Sequence, residues 1–464
     1  MMNQVFRTYL FCGLSALLLF FSATNAGAAG ERIWVKRYGY LYAGADYARG
    51  MAVDKDGNVV VVGQSLGNAD TYYDYAVVKY SPAGKRLWVR RYNSGQGAYD
   101  EPFGVAVDYA GNIIVTGKGF GHRGAGLPDI VTVKYDPDGN LLWVRRYYGG
   151  EAGHEEGRAV AADSEGNVYV AGIASSASNN YQDAALIKYS PAGVRLWVKT
   201  YDASFHDNDG YFCVAVDGND NVFAAGFSIQ SGLNLSDVII VKYNTNGARL
   251  WLRTYDDNEG LDDWAESIAI DKRGNAVITG SQGESCDAEG GYCFSYVTIK
   301  YSPAGVRKWV ATYNPQPTSD DMAHAVRVDA SGNVYVTGQS AWESAFYDFA
   351  TVKYTPFGVQ VWAKRYDGAG HGNDMAYGLA VDSKGNAIVA GQSYISLEVE
   401  SDFTVIKYAS GSARRWVRRY NGPGSGIDMA FFVAVDGKDN IYASGFSLGK
   451  STTAEDFVTI KYAP

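Results

Sequence analysis

An Asp followed four residues later by an Asn occurs eight times in this chain, and that recurrence restricts the fold more than any other feature. The pairs are Asp54/Asn58, Asp108/Asn112, Asp163/Asn167, Asp217/Asn221, Asp271/Asn275, Asp329/Asn333, Asp382/Asn386 and Asp436/Asn440, at a period of about 54 residues. Downstream of each comes Lys-Tyr; a strand with a Trp and a Tyr four residues later precedes the first pair and follows each of the first seven. A period of this length without helical patterning marks repeated small sheets, most simply a ring of them.

The sixth repeat shows the unit. Ala325 to Asp329, Asn333 to Thr337, Asp348 to Tyr354 and Val361 to Tyr366 are short β-branched and aromatic runs separated by Gly, Asn and Pro. They read as strands A, B, C and D of one antiparallel sheet. Asp-x-x-Gly-Asn joins A to B, and Ser-Pro-Ala-Gly or a variant joins C to D. Asn and Gly accept left-handed backbone angles, and Pro presets a turn. Asp54 to Asn58 is too short, and lacks the distal Glu, for a calcium loop. On strand D the Trp and Tyr share one face and should pack between blades. A Lys five residues after the start of strand C recurs in all eight repeats, from Lys79 to Lys461, and should pair with a strand-A or strand-C Asp.

Strand D first appears at Trp34, before any A, B or C strand, and the eighth repeat ends after strand C. The first strand should therefore complete the last blade, which predicts an all-β, eight-bladed propeller spanning 31–464, with four antiparallel strands per blade. Closure removes the open sheet edges that favour aggregation.

In such a blade the A–B and C–D turns share one face, and the longer D–A and B–C loops share the other. Binding usually lives on loops held by a rigid scaffold. Eight residues before each strand-A Asp lies a carboxylate: Asp46, Asp100, Glu155, Asp209, Asp263, Asp321, Asp374 and Asp428. Symmetry makes these a ring near the channel mouth. Two roles are open: pinning each loop by accepting backbone N–H bonds, or holding a divalent cation against their mutual repulsion. Perfect recurrence favours the first. His122, His154, His206, His324 and His371 fall in or near the same face, and His154, Glu156 and His206, beside Glu155 and Asp209, are the best candidates for a cluster that breaks the symmetry. Tyr72, Tyr73, Trp342 and Phe346 are irregular loop aromatics suited to ligand contact or to loop packing.

A net charge of −9 and the lack of a basic run argue against nucleic acid and anionic lipid as partners. Arg7, the apolar stretch from Tyr9 to Phe21 and the small residues up to Ala29 read as a cleaved signal peptide over 1–28. The mature chain is then expected in the periplasm, at the cell surface or outside the cell, without a membrane span and as a monomer. Cys286 and Cys293 bracket an acidic Gly-rich loop and could form a disulfide in an exported protein; Cys213 falls in a strand. Gly63-Gln-Ser65-Leu-Gly67 and Gly445 to Ser451 imitate a nucleophile elbow and a phosphate loop, but neither is followed by a helix.

Val328 to Gly338 (Val-Asp-Ala-Ser-Gly-Asn-Val-Tyr-Val-Thr-Gly), with Asp-Phe-Ala-Thr-Val-Lys-Tyr and Pro-x-Gly after it, resembles the bacterial SBBP β-propeller repeat. The resemblance implies exported or cell-surface propellers and transfers no catalytic residues. A Gly four residues before the Trp (Gly84/Trp88 through Gly358/Trp362, with Ser412/Trp416) is similar to the Trp-docking turn of quinoprotein propellers. Those are also eight-bladed, but no adjacent cysteine pair is present here. The expected function is a non-catalytic protein- or glycan-binding scaffold without a cofactor. The alternative is a propeller enzyme: a polysaccharide lyase or hydrolase, or a quinoprotein-like oxidoreductase.

Overall fold

The computed structural model describes residues 28–464 apart from 40–43, 68–71, 96–97, 121–126, 150–152, 176–180, 204–206, 231–234, 257–259, 287–291, 317, 343, 396–399, 425 and 450–453. Residues 1–27 of the expected signal peptide (1–28), His122 and His206 thus lie outside the described residues, as does the side chain of Trp342. No helix among the described residues is long and apolar enough to cross a membrane.

The chain forms eight four-stranded antiparallel sheets. Blade 1 is β2 (Asp46–Val53), β3 (Val59–Leu66), β4 (Tyr73–Tyr80) and β5 (Arg86–Tyr92) in that spatial order. Blades 2 to 7 repeat it. Their A strands are β6 (Asp100–Val107), β10 (Glu156–Ala162), β14 (Asp209–Val216), β18 (Asp263–Ile270), β22 (Asp321–Val328) and β26 (Met375–Val381). Blade 8 is β30 (Asp428–Val435), β31 (Ile441–Leu448), β32 (Glu455–Tyr462) and, at its outer edge, β1 (Arg32–Tyr38). Trp34 pairs with Lys461 and Tyr38 with Phe457, so the two chain ends close the ring as expected. Each A strand packs against the A strands of both neighbouring blades, including β30 against β2, which makes a complete inner circle.

The A strands begin earlier than the alternation in the sequence suggests. In blade 6 the strand starts at Asp321 rather than Ala325, because a bulge between Ala323 and Ala325 hides the period of two. A bulge at the same place interrupts the inner strand of every blade. The core is correspondingly divided. Eight apolar clusters each join one blade to the next, such as that of Val60, Tyr75 and Trp88 with Val115, Val133 and Tyr135. No blade can bury both faces alone, so the ring is stable only when closed.

Candidate functional site

Three layers of polar chemistry repeat around the ring. At the turn face each A–B turn is built on its Asp. Asp108 accepts the Asn112 backbone N–H at 2.9 Å and the Asn112 side-chain amide at 2.8 Å, while Gly111 takes a φ of 86°. The Lys of strand C reaches the same Asp: Lys134 to Asp108, Lys242 to Asp217, Lys300 to Asp271 and Lys407 to Asp382, each at 2.9 Å. The partner is thus the strand-A Asp. Burial alone would raise the Asp108 pKa, but the Asn112 and Lys134 hydrogen bonds outweigh it and hold it low.

The second layer joins blades. Seven tryptophans donate their indole N–H to a turn carbonyl of the next blade at 2.9 to 3.2 Å, as Trp88 does to Pro137 and Trp251 to Pro303. The indole lies against the turn glycine, where a Cβ on Gly139 would sit 2.8 Å from Trp88. That glycine is needed twice, for its φ of 84° and for the ring's approach. Lys79 shares the Pro137 carbonyl with Trp88, and Lys242 shares that of Pro303 with Trp251.

The third layer is the carboxylate ring. All eight side chains are buried, at most 1% exposed. Asp100 accepts the Ser94 backbone N–H, Asp209 that of Ala203, Asp374 that of Gly368, Asp428 that of Gly422 and Glu155 that of Gly149, each six residues upstream in the D–A loop. Burial pushes Asp100, Asp209 and Asp374 up to about 6 and Asp321 up to about 7. This geometry fastens the loops. Among the described residues one acidic trio, Asp348, Asp367 and Asp374, brings its oxygens within 4.8 Å of one another. Protein cations already meet it: Arg365 lies 2.9 Å from Asp348, and His371 Nδ1 lies 2.6 Å from Asp367.

The channel wall breaks the repeat. Counting from each ring carboxylate, the fourth residue is in turn Arg49, Phe103, Arg158, Phe212, Glu266, His324, Tyr377 and Phe431. Two runs of them touch around the axis. Arg158 lies 4.9 Å over the Phe103 ring and 5.8 Å over Phe212. His324 Nδ1 meets Glu266 Oε2 at 2.6 Å and stacks at 5.5 Å on Tyr377, whose ring is 5.1 Å from Phe431. The second residues extend the wall toward the loops. Glu101 bridges Arg49 (2.9 Å) and Lys118 (3.3 Å), and Glu156 bridges Lys118 (3.1 Å) and Arg158 (2.6 Å). On the far side the second residues are Met322, Met375 and Met429. One arc of the wall is therefore charged and the opposite arc aromatic and thioether-rich. Aromatic pairs continue outward, with Tyr47 on Phe446, Tyr73 on Tyr99 and Trp264 on Phe294.

Residues 33–68 match the SBBP β-propeller repeat. The matched SBBP stretch runs from strand D through A to B, so it crosses the ring closure from blade 8 into blade 1. An uncharacterized WD repeat-containing protein of Acanthamoeba polyphaga mimivirus is 24% identical, over 86% of this chain and 29% of its own length. The chain thus spans under a third of that relative. The β-propeller domain of the trilobed protease from Pyrococcus furiosus superposes with a TM-score of 0.44 at 9% identity, over 82% of this chain and 96% of that one. An ulvan lyase solved with bound -[GlcA(1-4)Rha3S]- gives 0.45 at 9% identity, over 75% and 92%. Likenesses this weak say nothing of activity.

Within the SBBP-like ring, His154 and Glu156 of the predicted cluster come together, while its third member, His206, lies outside the described residues. His154 is half exposed with Nδ1 3.7 Å from Glu156, and burial draws its pKa down. Glu156 belongs to the channel's charged arc. Tyr72 and Phe346 are exposed. Cys286 and Cys293 form a disulfide. Cys213 is buried against the Ala225 carbonyl, and burial raises its pKa, as suits an inert thiol. Ser65 and Ser447, from the two imitated motifs, are buried in strands and bonded by Arg91 and Arg37. A crevice of about 940 Å3 between the turns of blades 5 and 6, lined by Trp309 and Phe357, lies on the turn face, away from the channel mouth.

Proposed function

We propose that the protein is an exported, ligand-binding propeller that takes a glycan, or a protein surface of similar chemistry, at the loop-side mouth of its channel. One observation carries this: side chains that hold the blades together repeat, and side chains that line the loop-side mouth of the channel do not. A closed ring needs the former. Nothing in its stability requires Arg158 between two phenylalanines, or Met322, Met375 and Met429 opposite Glu101 and Glu156. Aromatic faces beside charged and amide groups suit sugar rings and their hydroxyls. The disulfide supports an oxidising compartment.

A glycan array on the mature protein, repeated with Arg158→Ala and Tyr47→Ala, tests the reading. Selective binding that both variants weaken at least tenfold is the expected result. Binding that neither variant alters would place the site elsewhere.

The enzyme reading has one observation in its favour. His324 Nδ1 lies 2.6 Å from Glu266 Oε2, and Gln339 also hydrogen-bonds the imidazole. Burial alone would lower its pKa, but Glu266 outweighs this and raises it. A histidine–carboxylate pair on the channel wall is the kind of group that general acid–base catalysis uses. New reducing ends from array-positive glycans, lost in His324→Ala, would establish catalysis.

A further inference from the structure

We propose that the central channel holds a small oxyanion (phosphate, sulfate or the carboxylate of a larger ligand) on the guanidinium of Arg327. The seventh residue counted from each ring carboxylate is alanine in seven repeats, including Ala269 and Ala380 in the flanking blades, and arginine only in blade 6. Arg327 lies on β22, at the inner edge of its sheet. Its Nη1 donates to the carbonyl of Val326 at 2.7 Å, on the edge that no further strand covers. The Val326 N–H, on that same edge, donates to Ser267 Oγ of blade 5 at 3.2 Å.

Arg327 has no carboxylate within ion-pair distance among the described residues. The channel's other cations do: Arg49 has Glu101 at 2.9 Å and Arg158 has Glu156 at 2.6 Å. The Arg327 side chain is open to solvent yet enclosed by the ring, and desolvation is the one influence on its pKa, which it lowers. Arginine does not escape such a place by losing its proton. Water or an anion must meet the charge, and the planar fork matches two oxygens of one oxyanion. Alanine walls on both sides leave room for it.

The test uses sodium sulfate, sodium phosphate and a uronic-acid oligosaccharide, each against chloride at fixed ionic strength. Calorimetric titration and thermal shift are read on wild type, Arg327→Ala, Arg327→Lys and Arg158→Ala. Arg327→Ala should fold, because alanine occupies this position in the other seven blades. Should it fail, the neutral, long-chained Arg327→Gln carries the same readout. Saturable binding of an oxyanion by wild type, weakened at least tenfold in Arg327→Ala and less in Arg327→Lys, is expected. Inorganic ions binding alone identify a free anion as the source, and the oligosaccharide binding alone identifies a ligand's acid group. Arg158→Ala should leave sulfate and phosphate binding unchanged, which separates this site from the loop-side mouth. Equal binding by wild type and Arg327→Ala, or no saturable binding of any of the three probes, would overturn the assignment.

Discussion

Trp88, Trp143 and Trp251 sit at three different blade interfaces and make the same contact: indole on glycine, N–H to a turn carbonyl. Phe103, Arg158 and Phe212 sit at equivalent positions of three consecutive inner strands, and adjacent ones differ in kind. Both sets ride on the same backbone geometry. Interface side chains meet the neighbouring blade's backbone and core, which are nearly identical at every junction, so one solution serves eight times. Channel side chains meet one another and solvent across the axis, where no blade dictates its neighbour's residue.

The contrast breaks first, and with the largest effect, at the buried ion pairs. Asp108→Ala leaves Lys134, whose side chain is 1% exposed, without its carboxylate. Removing one partner of a buried pair costs about 3–5 kcal/mol. Denaturant unfolding should show that loss, whereas Arg158→Ala, partly exposed on the channel wall, should cost under about 1 kcal/mol. Equal losses at the two sites would mean that the channel wall is structural after all.

A smaller effect of opposite sign comes from the carboxylate ring. Burial pushes the Asp321 carboxyl in the folded chain up from its ordinary value of 3.8 to about 7. Between those values the folded state holds a proton that the unfolded state has released, so stability falls as pH rises through this window, by at most about 1.4 kcal/mol per pH unit for one group. The turn aspartates, with lowered pKa values, act the other way, losing stability as pH falls through the acid range below 4. Asp321→Asn should therefore flatten the decline in melting temperature between pH 5 and 7. An unchanged slope would show that the carboxylate is solvated or already neutralised.

How much of this could be read from residues alone follows from the same contrast. Eight repeats, the four strands, the closure through Trp34 and the face bearing the loops were legible, because each rests on a recurring signal. The Gly-to-Trp spacing was also visible, but not that each Trp docks on the glycine of the following blade, a contact some 50 residues away. Lys79 could have paired with either Asp54 or Asp74; only the three-dimensional register selects Asp54. Apart from Glu156 and His324, the channel residues went unread for a different reason. The search favoured positions that repeat, and the bulge in strand A hid which residues face the axis. Yet Arg327 carried a usable signal: Val-Arg-Val-Asp stands where other repeats have an alanine two residues before the aspartate.

The smallest effect tests the one junction where the interface itself departs from its rule. Trp416 of blade 7 docks on Gly30, part of the seam where the chain ends meet and no C–D turn connects the strands. Gly30 donates its N–H to the Ala463 carbonyl at 3.2 Å, and Ala463 donates back to Glu31 at 2.8 Å, so the seam imitates a turn. Arg418 still finds the Gly30 carbonyl at 2.7 Å. Among the described residues the indole N–H of Trp416 finds no acceptor, because the chain enters the seam from the N-terminus and not from strand C. Trp88 and Trp416 are nearly equally buried, at 9% and 7% exposure, so replacing either by Phe loses similar packing. Only Trp88→Phe also loses a hydrogen bond, which contributes about 1 kcal/mol. Trp88→Phe should therefore unfold at lower denaturant than Trp416→Phe. If the two variants coincide, docking rests on ring contact with glycine alone, and the turn carbonyl is incidental to how the blades are joined.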